Sequence, residues 1–476
     1  MPFMRTYFFK NKYKNMTLIK SISGIRGTIG GEPGDTLSPL DVVKFVSAYS
    51  TQLHSKFKNS KIKVVLGRDA RISGPMVNHV VIGTLNAMGI DVIDLGLSTT
   101  PTVEMAVIDH KAQGGVILTA SHNPKQWNAL KLLNEKGEFI NGAEGTELLE
   151  IAAKEQFDYA EVDDLGNTIT DETAIEKHIN HILNLELVDV EAIRKANFTV
   201  ALDAVNSTGG ISILPLFKAL GVENTVELYV EPTGEFPHNP EPLPEHLTEL
   251  SAAVVKNNAD VGFVVDPDVD RLAIVMENGE MFNEEYTLVA VADYILQHQP
   301  GNTVSNMSST RALREVTNKH GFEYSASAVG EVNVVELMRK TNAIIGGEGN
   351  GGIIYPTLHA GRDALVGIAL FLTYLAKRDI KVSELRAEYP AFFISKNKIQ
   401  LEPGMDVDAV LKNMQKKYSN ENVSTIDGVK IDFANSWVHL RKSNTEPIIR
   451  IYAEDSSLDN ADKLAYKIMD DIKSFM

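Results

Sequence analysis

Three aspartates at alternate positions, in Asp266-Pro267-Asp268-Val269-Asp270-Arg271, follow directly on the apolar run Val261-Gly262-Phe263-Val264-Val265. Such a run reads as a buried strand, and Pro267 helps end it, so the carboxylates project from a loop and can converge on one hard cation. Like charges at the end of a buried strand repel unless a cation stands between them; a solvated acidic turn is the alternative. A calcium EF-hand is a second alternative, since Glu277 falls at its twelfth position. It fails at the sixth, where Arg271 replaces the required glycine, and 272–276 reads as a strand. Three protein carboxylates on an octahedral Mg²⁺ leave positions for water and a phosphate oxygen, so the loop points to magnesium and a phosphoryl group.

Other loops of similar promise also follow apolar strands. Thr119-Ala120-Ser121-His122-Asn123-Pro124 sets a hydroxyl at a turn, although serine, asparagine and proline are ordinary turn formers. It lacks the flanking glycines of a hydrolase nucleophile elbow. A serine that alternates between phosphorylated and free forms needs a base for its proton and cations for its phosphate; a metal, Arg271, His122 or Lys131 would serve as the cations. Gly347-Glu348-Gly349-Asn350-Gly351-Gly352 has the spacing of a dinucleotide fingerprint, but Pro356-Thr357-Leu358-His359 stands where the pyrophosphate-binding helix should run, which rejects a nicotinamide site. Its glycines could instead let Glu348 and Asn350 reach neighbouring sugar hydroxyls, the alternative being a tight turn.

Near the C-terminus, Arg441-Lys442-Ser443-Asn444-Thr445-Glu446-Pro447 concentrates a fork-shaped cation, hydroxyls and an amide after a strand, a suitable phosphate cradle or else an exposed basic turn. His178 and His181 lie at metal-binding spacing on a helix, but with no third ligand nearby they read as helix surface. Arg26, in Ser23-Gly24-Ile25-Arg26-Gly27, carries no signal by itself.

The elements that must position these loops alternate. Strands are expected over 63–66, 91–95 and 116–118, then 198–202, 226–230 and 261–265, then near 303, 324 and 344, with helices between them. Beyond about residue 395 the pattern changes to strands flanked by helices over 406–418 and 460–475. This predicts three similar α/β domains with mixed or parallel sheets, over 16–155, 172–282 and 283–392, plus a C-terminal α+β domain over 395–476, around a central cleft. The acidic stretch 158–172 reads as a linker. Residues 1–15 are basic and lack the apolar core of a secretory signal, so they are expected to form a disordered extension before Met16.

The chain has 476 residues, 43% of them hydrophobic, and 46 basic against 63 acidic residues give a net charge of −17. That balance disfavours nucleic acid as a partner. Zero cysteines exclude disulfides, thiolate metal sites and cysteine nucleophiles. No apolar run reaches the roughly 20 residues of a membrane span. A cytoplasmic protein is expected, without a membrane partner.

In order, these segments resemble the α-D-phosphohexomutase family, which includes phosphoglucomutases, phosphomannomutases and phosphoglucosamine mutases, over essentially the whole chain from Met16. The resemblance implies a four-domain, heart-shaped architecture and a phosphoserine at Ser121. It implies Mg²⁺ held by Ser121, Asp266, Asp268 and Asp270, with Arg271 and His122 at the catalytic centre, Arg26 lining it and Lys131 as acid/base. Glu348 and Asn350 would recognise the sugar, and Arg441, Ser443, Asn444 and Thr445 the distal phosphate. A phosphorylated hexose or hexosamine would be interconverted between its 6- and 1-phosphates, with hexose 1,6-bisphosphate as intermediate and activator. A phosphoglucosamine mutase is the first expectation and a phosphomannomutase/phosphoglucomutase the second, as a monomer or homodimer. Many bacterial members carry serine, glycine and histidine where Asn350, Gly351 and Gly352 stand here; His359 and Arg362 are candidates for the space of that histidine. Two other functions stay open. One is a haloacid-dehalogenase-type phosphatase with Asp266 as nucleophile, which leaves Asp270 without a role; the other is a non-catalytic sugar-phosphate binding protein.

Overall fold

A computed structural model of the chain describes residues 16–21, 24–58, 60–401, 406–442 and 448–475. The expectation for 1–15 and those for Ser443, Asn444 and Thr445 lie outside the described residues.

The first sheet contains β1 (Ile19–Ser21), β2 (Gly24–Thr28), β3 (Lys63–Arg68), β4 (Asp91–Leu97), β5 (Gly114–Leu118), β6 (Trp127–Leu133) and β7 (Thr168–Thr170), in the order β1-β2-β6-β5-β3-β4-β7. β3 runs parallel to β4 and β5, whereas β6 and β2 are antiparallel additions. The central strands are apolar on both faces because both are covered. Val64 and Leu66 pack towards helices Pro39–Lys56 and Gly74–Ala87, and Val65 towards Thr100–Asp109. β7 lies within the stretch 158–172 read as a linker and pairs in parallel with Asp91–Leu97 as a short, exposed edge strand. Its three residues are too few for a hydrophobic period to show.

The second sheet, β8 (Thr199–Asp203), β9 (Asn224–Leu228), β10 (Val261–Val265) and β11 (Leu272–Met276), has the order β11-β10-β8-β9. The third, β12 (Asn302–Asn306), β13 (Tyr324–Ser327), β14 (Ala343–Glu348) and β15 (Gly352–Ile354), repeats that plan as β13-β12-β14-β15. In each, three parallel strands end on an antiparallel return strand; the loop before that return carries the aspartate motif in the second sheet and Gly349-Asn350-Gly351 in the third. The two layers share one hydrophobic core. Phe263 of the second layer, packed against Phe217, meets Phe371 on helix Ala364–Arg378, with ring centroids 6.1 Å apart for Phe263 and Phe371.

The last sheet, β16 (Phe393–Gln400), β17 (Asn422–Ser424), β18 (Val429–Asp432), β19 (Trp437–Lys442) and β20 (Ile448–Asp455), is antiparallel throughout, in the order β16-β20-β19-β18-β17. Helices Val407–Lys417 and Leu458–Lys473 pack on it around a separate core. Three α/β layers and a C-terminal α+β unit are thus present. Among the described residues, no helix is long and apolar enough to cross a membrane.

His178 departs from the surface reading, for it is fully buried. Its Nδ1 lies 3.0 Å from the Thr102 hydroxyl and its Nε2 2.9 Å from Asp363 Oδ2. The same carboxylate oxygen lies 3.3 Å from His359 Nε2, and His359 Nδ1 stands 3.2 Å from Glu104 Oε2. His359 is therefore engaged by Asp363 and Glu104, and the side chain nearest a Cβ at Gly352 is that of Arg362. Burial opposes a charge on His359, but Asp363 and Glu104 outweigh it and push its pKa up to about 10. A histidine raised on folding contributes stability that is complete below its unfolded value near 6.5 and is lost as pH rises through the folded value. The melting temperature is therefore expected to fall between pH 7 and pH 10 in thermal scans. His359→Gln should remove most of that slope and lower stability by about 3–5 kcal/mol at pH 7, as for a broken buried ion pair.

Candidate active site

The carboxyl ends of β5 and β10 meet, and their loops touch. Ser121 has a left-handed backbone, φ +47°, and its Oγ donates to Asp266 Oδ2 at 2.6 Å. Val269, in the aspartate loop, is also left-handed at φ +62°. That region is uncommon for a non-glycine residue and a genuine outlier for a β-branched one, costing about 1–3 kcal/mol, so the surroundings must impose it.

For Ser121 the constraint is Arg71, whose side chain is fully buried. Its Nε donates to Asp69 Oδ2 at 3.0 Å, and its terminal nitrogens donate to the carbonyls of Pro124 at 2.9 Å, Trp127 at 3.0 Å, Asn123 at 2.7 Å and Ser121. Asp69 Oδ2 also accepts from the Thr119 hydroxyl at 2.7 Å, and that oxygen accepts the Ser121 N–H at 2.9 Å. One guanidinium and one carboxylate therefore set the whole serine turn.

Asp266, Asp268 and Asp270 are 0% exposed, and ligand oxygens from all three lie within 4.8 Å of one another. Asp266 Oδ1 accepts the N–H groups of Asp270 and Arg271, each at 3.2 Å. Asp268 Oδ2 accepts from the Thr100 hydroxyl at 2.6 Å and from Lys131 Nζ at 2.7 Å. Asp270 Oδ2 accepts from Arg362 Nη2 at 2.6 Å. The Oδ1 atoms of Asp268 and Asp270 are buried without a hydrogen-bond partner. Orphaned buried carboxylate oxygens are strongly unfavourable, and the three clustered carboxylates fit a divalent cation that would satisfy them.

The electrostatics agree. Burial, reinforced by Asp270 and Asp268, pushes the Asp266 carboxyl well above the usual range. Against burial, Lys131 holds Asp268 below that range, while Asp268 and Asp270 keep Lys131 charged. Arg271 Nε stands 3.8 Å from Asp270 Oδ1 and 4.0 Å from Asp266 Oδ2. The Nε atoms of Arg26 and Arg271 are both buried without a hydrogen-bond acceptor. Burial and then the charges of Arg450 and Arg271 depress the Arg26 guanidinium, so three cations crowd a space suited to an anion. His122 Nδ1 lies 3.4 Å from Ser121 Oγ. Burial and then Arg271 lower the His122 pKa well below its ordinary value, which makes this a neutral imidazole rather than a phosphate-binding cation.

Glu348 closes β14, where its Oε1 accepts from Asn306 Nδ2 at 2.8 Å and the Gly330 N–H at 3.1 Å, and its Oε2 from Arg362 Nη1 at 2.6 Å. Asn350 Oδ1 accepts the Gly352 N–H at 3.2 Å, a local turn bond. Arg441 Nε lies 2.8 Å from Asp427 Oδ2, which also accepts the Val329 N–H at 3.0 Å. Arg441 therefore stands beside the turn that holds Glu348. Sequence reasoning missed Arg71, Asp69, Thr100 and Glu331. Gly67-Arg68-Asp69-Ala70-Arg71 leaves a buried parallel strand at its carboxyl end, and that position was the available signal.

Four family models match the chain in succession: phosphoglucomutase/phosphomannomutase alpha/beta/alpha domain I over residues 18–159, domain II over 176–279, domain III over 283–392 and the C-terminal domain over 396–471. The chain belongs to the phosphoglucomutase/phosphomannomutase family. It is accordingly an enzyme of the phosphohexomutase class, an isomerase. A phosphoglucomutase/phosphomannomutase of Thermococcus kodakarensis is 34% identical over 441 residues, covering 91% of this chain and 95% of that protein. A phosphoglucosamine/phosphogalactosamine mutase of Sulfurisphaera tokodaii is 31% identical over 452 residues, 94% of this chain and 97% of that one. The crystal structure of a putative phosphomannomutase from Thermus thermophilus superposes with a TM-score of 0.80 at 25% identity, over 95% of this chain and 98% of that chain.

Because Arg71 satisfies four loop carbonyls and a buried carboxylate, Arg71→Ala should lower stability by about 3–5 kcal/mol in denaturant titrations. Amide hydrogen exchange should rise most over 119–127.

Proposed function

We propose that this phosphohexomutase interconverts glucosamine 6-phosphate and glucosamine 1-phosphate through a phosphoserine at Ser121. The observation that carries the reading is the Ser121 Oγ bonded at 2.6 Å to Asp266 in a buried carboxylate triad, in which Asp268 Oδ1 and Asp270 Oδ1 lack hydrogen-bond partners. Mg²⁺ held by Asp266, Asp268, Asp270 and an oxygen on Ser121 would supply a Lewis acid for the phosphoryl oxygens.

The residues divide the work. Phosphorylated Ser121 yields its phosphoryl group to the free hydroxyl of the bound monophosphate: the P–Oγ bond breaks, a P–O bond to the sugar forms, and the hydroxyl proton must leave. The neutral His122 imidazole can accept that proton and return it to Ser121 Oγ. Lys131, the acid/base of the resemblance, is held as an ammonium and so begins as a donor. Arg26 and Arg271 present unmet N–H groups to the group in transfer. Glu348 and Asn350 would grip sugar hydroxyls, and Arg441 with Ser443, Asn444 and Thr445 the distal phosphate. The bisphosphate then turns end for end and returns its other phosphate to Ser121. Free hexose 1,6-bisphosphate would recharge a serine that had lost its phosphate. A chain without cysteine is compatible with a reducing compartment, and we assign it to the cytoplasm.

A second reading, turnover of glucose and mannose phosphates, is favoured by the name of the Thermococcus relative. Coupled assays on the three sugar 1-phosphates, started with a catalytic bisphosphate, should give the highest kcat/KM for glucosamine 1-phosphate; a higher value for either other sugar moves the assignment. Ser121→Ala should lower kcat by about a thousandfold or more while sugar-phosphate binding stays measurable by calorimetry. Retained turnover in that variant would remove the phosphoserine from the scheme. Chelation with EDTA should abolish activity, and added Mg²⁺ should restore it.

A further inference from the structure

Arg362 is 8% exposed and lies among three carboxylates contributed by separate segments. Its Nη2 reaches Asp270 Oδ2 and its Nη1 reaches Glu348 Oε2, each at 2.6 Å, and its Nε stands 3.0 Å from Glu331 Oε2. Its own N–H donates to Glu331 Oε1 at 3.2 Å, and its backbone bridges to Ile354 on the return strand. The stem has room because residue 352 is glycine: a Cβ there would lie 2.3 Å from Arg362 Cδ and 3.1 Å from its Cγ. The arginine stem thus occupies the volume that any side chain at position 352 would need.

We infer that Arg362 is the positioning residue that holds the metal loop and the sugar loop in one arrangement, so that capture of the divalent cation and capture of the phosphosugar both depend on it. For the identity of the sugar ligand this rests on the function proposed above. The guanidinium engages Asp270 through Oδ2 and leaves its Oδ1 without a hydrogen-bond partner. Its other arm anchors the oxygen of Glu348 that Asn306 and Gly330 do not hold. Asp270, Glu348 and Glu331 surround the guanidinium with opposite charge. A planar fork donates in two fixed directions at once, which a lysine ammonium cannot reproduce.

The test compares Arg362→Gln, Arg362→Lys and Gly352→Ala with the unaltered chain, after circular dichroism and thermal melting establish folding. Mn²⁺ affinity is measured by electron paramagnetic resonance without sugar, and KM for glucosamine 1-phosphate at saturating Mg²⁺. Arg362→Gln should weaken Mn²⁺ binding and raise KM, each by about tenfold or more, as for loss of a residue that orients metal ligands. The change in kcat with both ligands saturating should be smaller. Arg362→Lys should recover part of the Mn²⁺ affinity and little of the KM. Gly352→Ala keeps every charge and displaces the stem, so it should move both constants in the same direction, and it carries the test if Arg362→Gln fails to fold. The inference is overturned if a folded Arg362→Gln keeps either constant within twofold of the unaltered chain, if Arg362→Lys restores both, or if Gly352→Ala shifts neither. Absence of turnover in the unaltered chain would count against the mutase reading, whereas the Mn²⁺ titration would still decide the metal-loop half of the inference.

Discussion

Three carboxylates with no exposed surface, gathered at the end of one strand, are the constraint to which the rest of this structure answers. A buried ion is penalised by several kcal/mol unless charge and hydrogen bonds compensate it. The compensation is divided atom by atom. Asp266 Oδ1 is bound by backbone N–H groups, Asp268 Oδ2 by Thr100 and Lys131, and Asp270 Oδ2 by Arg362, while the Oδ1 atoms of Asp268 and Asp270 stay unclaimed. Protein cations thus fix the carboxylates in place without consuming the oxygens a divalent cation needs. The left-handed backbones of Ser121 and Val269 follow from the same demand, because hydroxyl and carboxylates must converge within hydrogen-bond distance.

The compensating groups come from different layers. Thr100 and Lys131 belong to the first, the aspartates to the second and Arg362 to the third, so the site is complete only when the three layers associate. The backbone is stitched accordingly: the Thr100 N–H donates to the Asp268 carbonyl at 2.9 Å, Leu272 N–H to Gly351 at 3.0 Å and Ala364 N–H to Val269 at 3.2 Å. Beneath this lies the chain from Thr102 through His178 and Asp363 to His359 and Glu104, which again joins residues of all three α/β units. A shared apolar core between the second and third layers gives this frame its rigidity.

What was legible in the sequence had a local period. The aspartate loop could be read because extended backbone after an apolar run sends alternate side chains to one side, and the serine and glycine-rich loops because turn residues follow strands. Arg71 could not be read in the same way: most of its acceptors are main-chain carbonyls, which have no residue-type signature. Arg362 drew notice only as a space-filler beside Gly352, since its bonds to Asp270 and Glu348 span 92 and 14 residues of chain. His178 was readable and was misread. It shares the buried stripe of helix Ala174–Leu183 with Ala174, Ile179 and Ile182, and that spacing places it inside. The fusion of two cores left no trace, because an apolar face does not encode which neighbour covers it.

A reaction that receives either end of a bisphosphate at one serine needs a fixed chemical end and a sugar-holding part able to admit a molecule that turns over. The two kinds of interface in this chain match those needs. The second and third layers are joined by aromatic and aliphatic side chains, a contact that does not slide without opening the core. The C-terminal unit meets the third layer largely through polar groups: Lys430 Nζ on the Met307 carbonyl at 2.7 Å, His439 Nδ1 near Ser308 Oγ at 2.9 Å, and the Arg311 N–H on Glu454 at 3.1 Å. Burial brings Lys430 down to about 8 and His439 down to about 4. Such a polar interface between separately cored units is one across which relative motion is the ordinary expectation. The rigid junction therefore carries the aspartates, Arg362 and Glu348, and the adjustable junction carries Arg441, which the proposed mechanism gives to the phosphate that is not reacting.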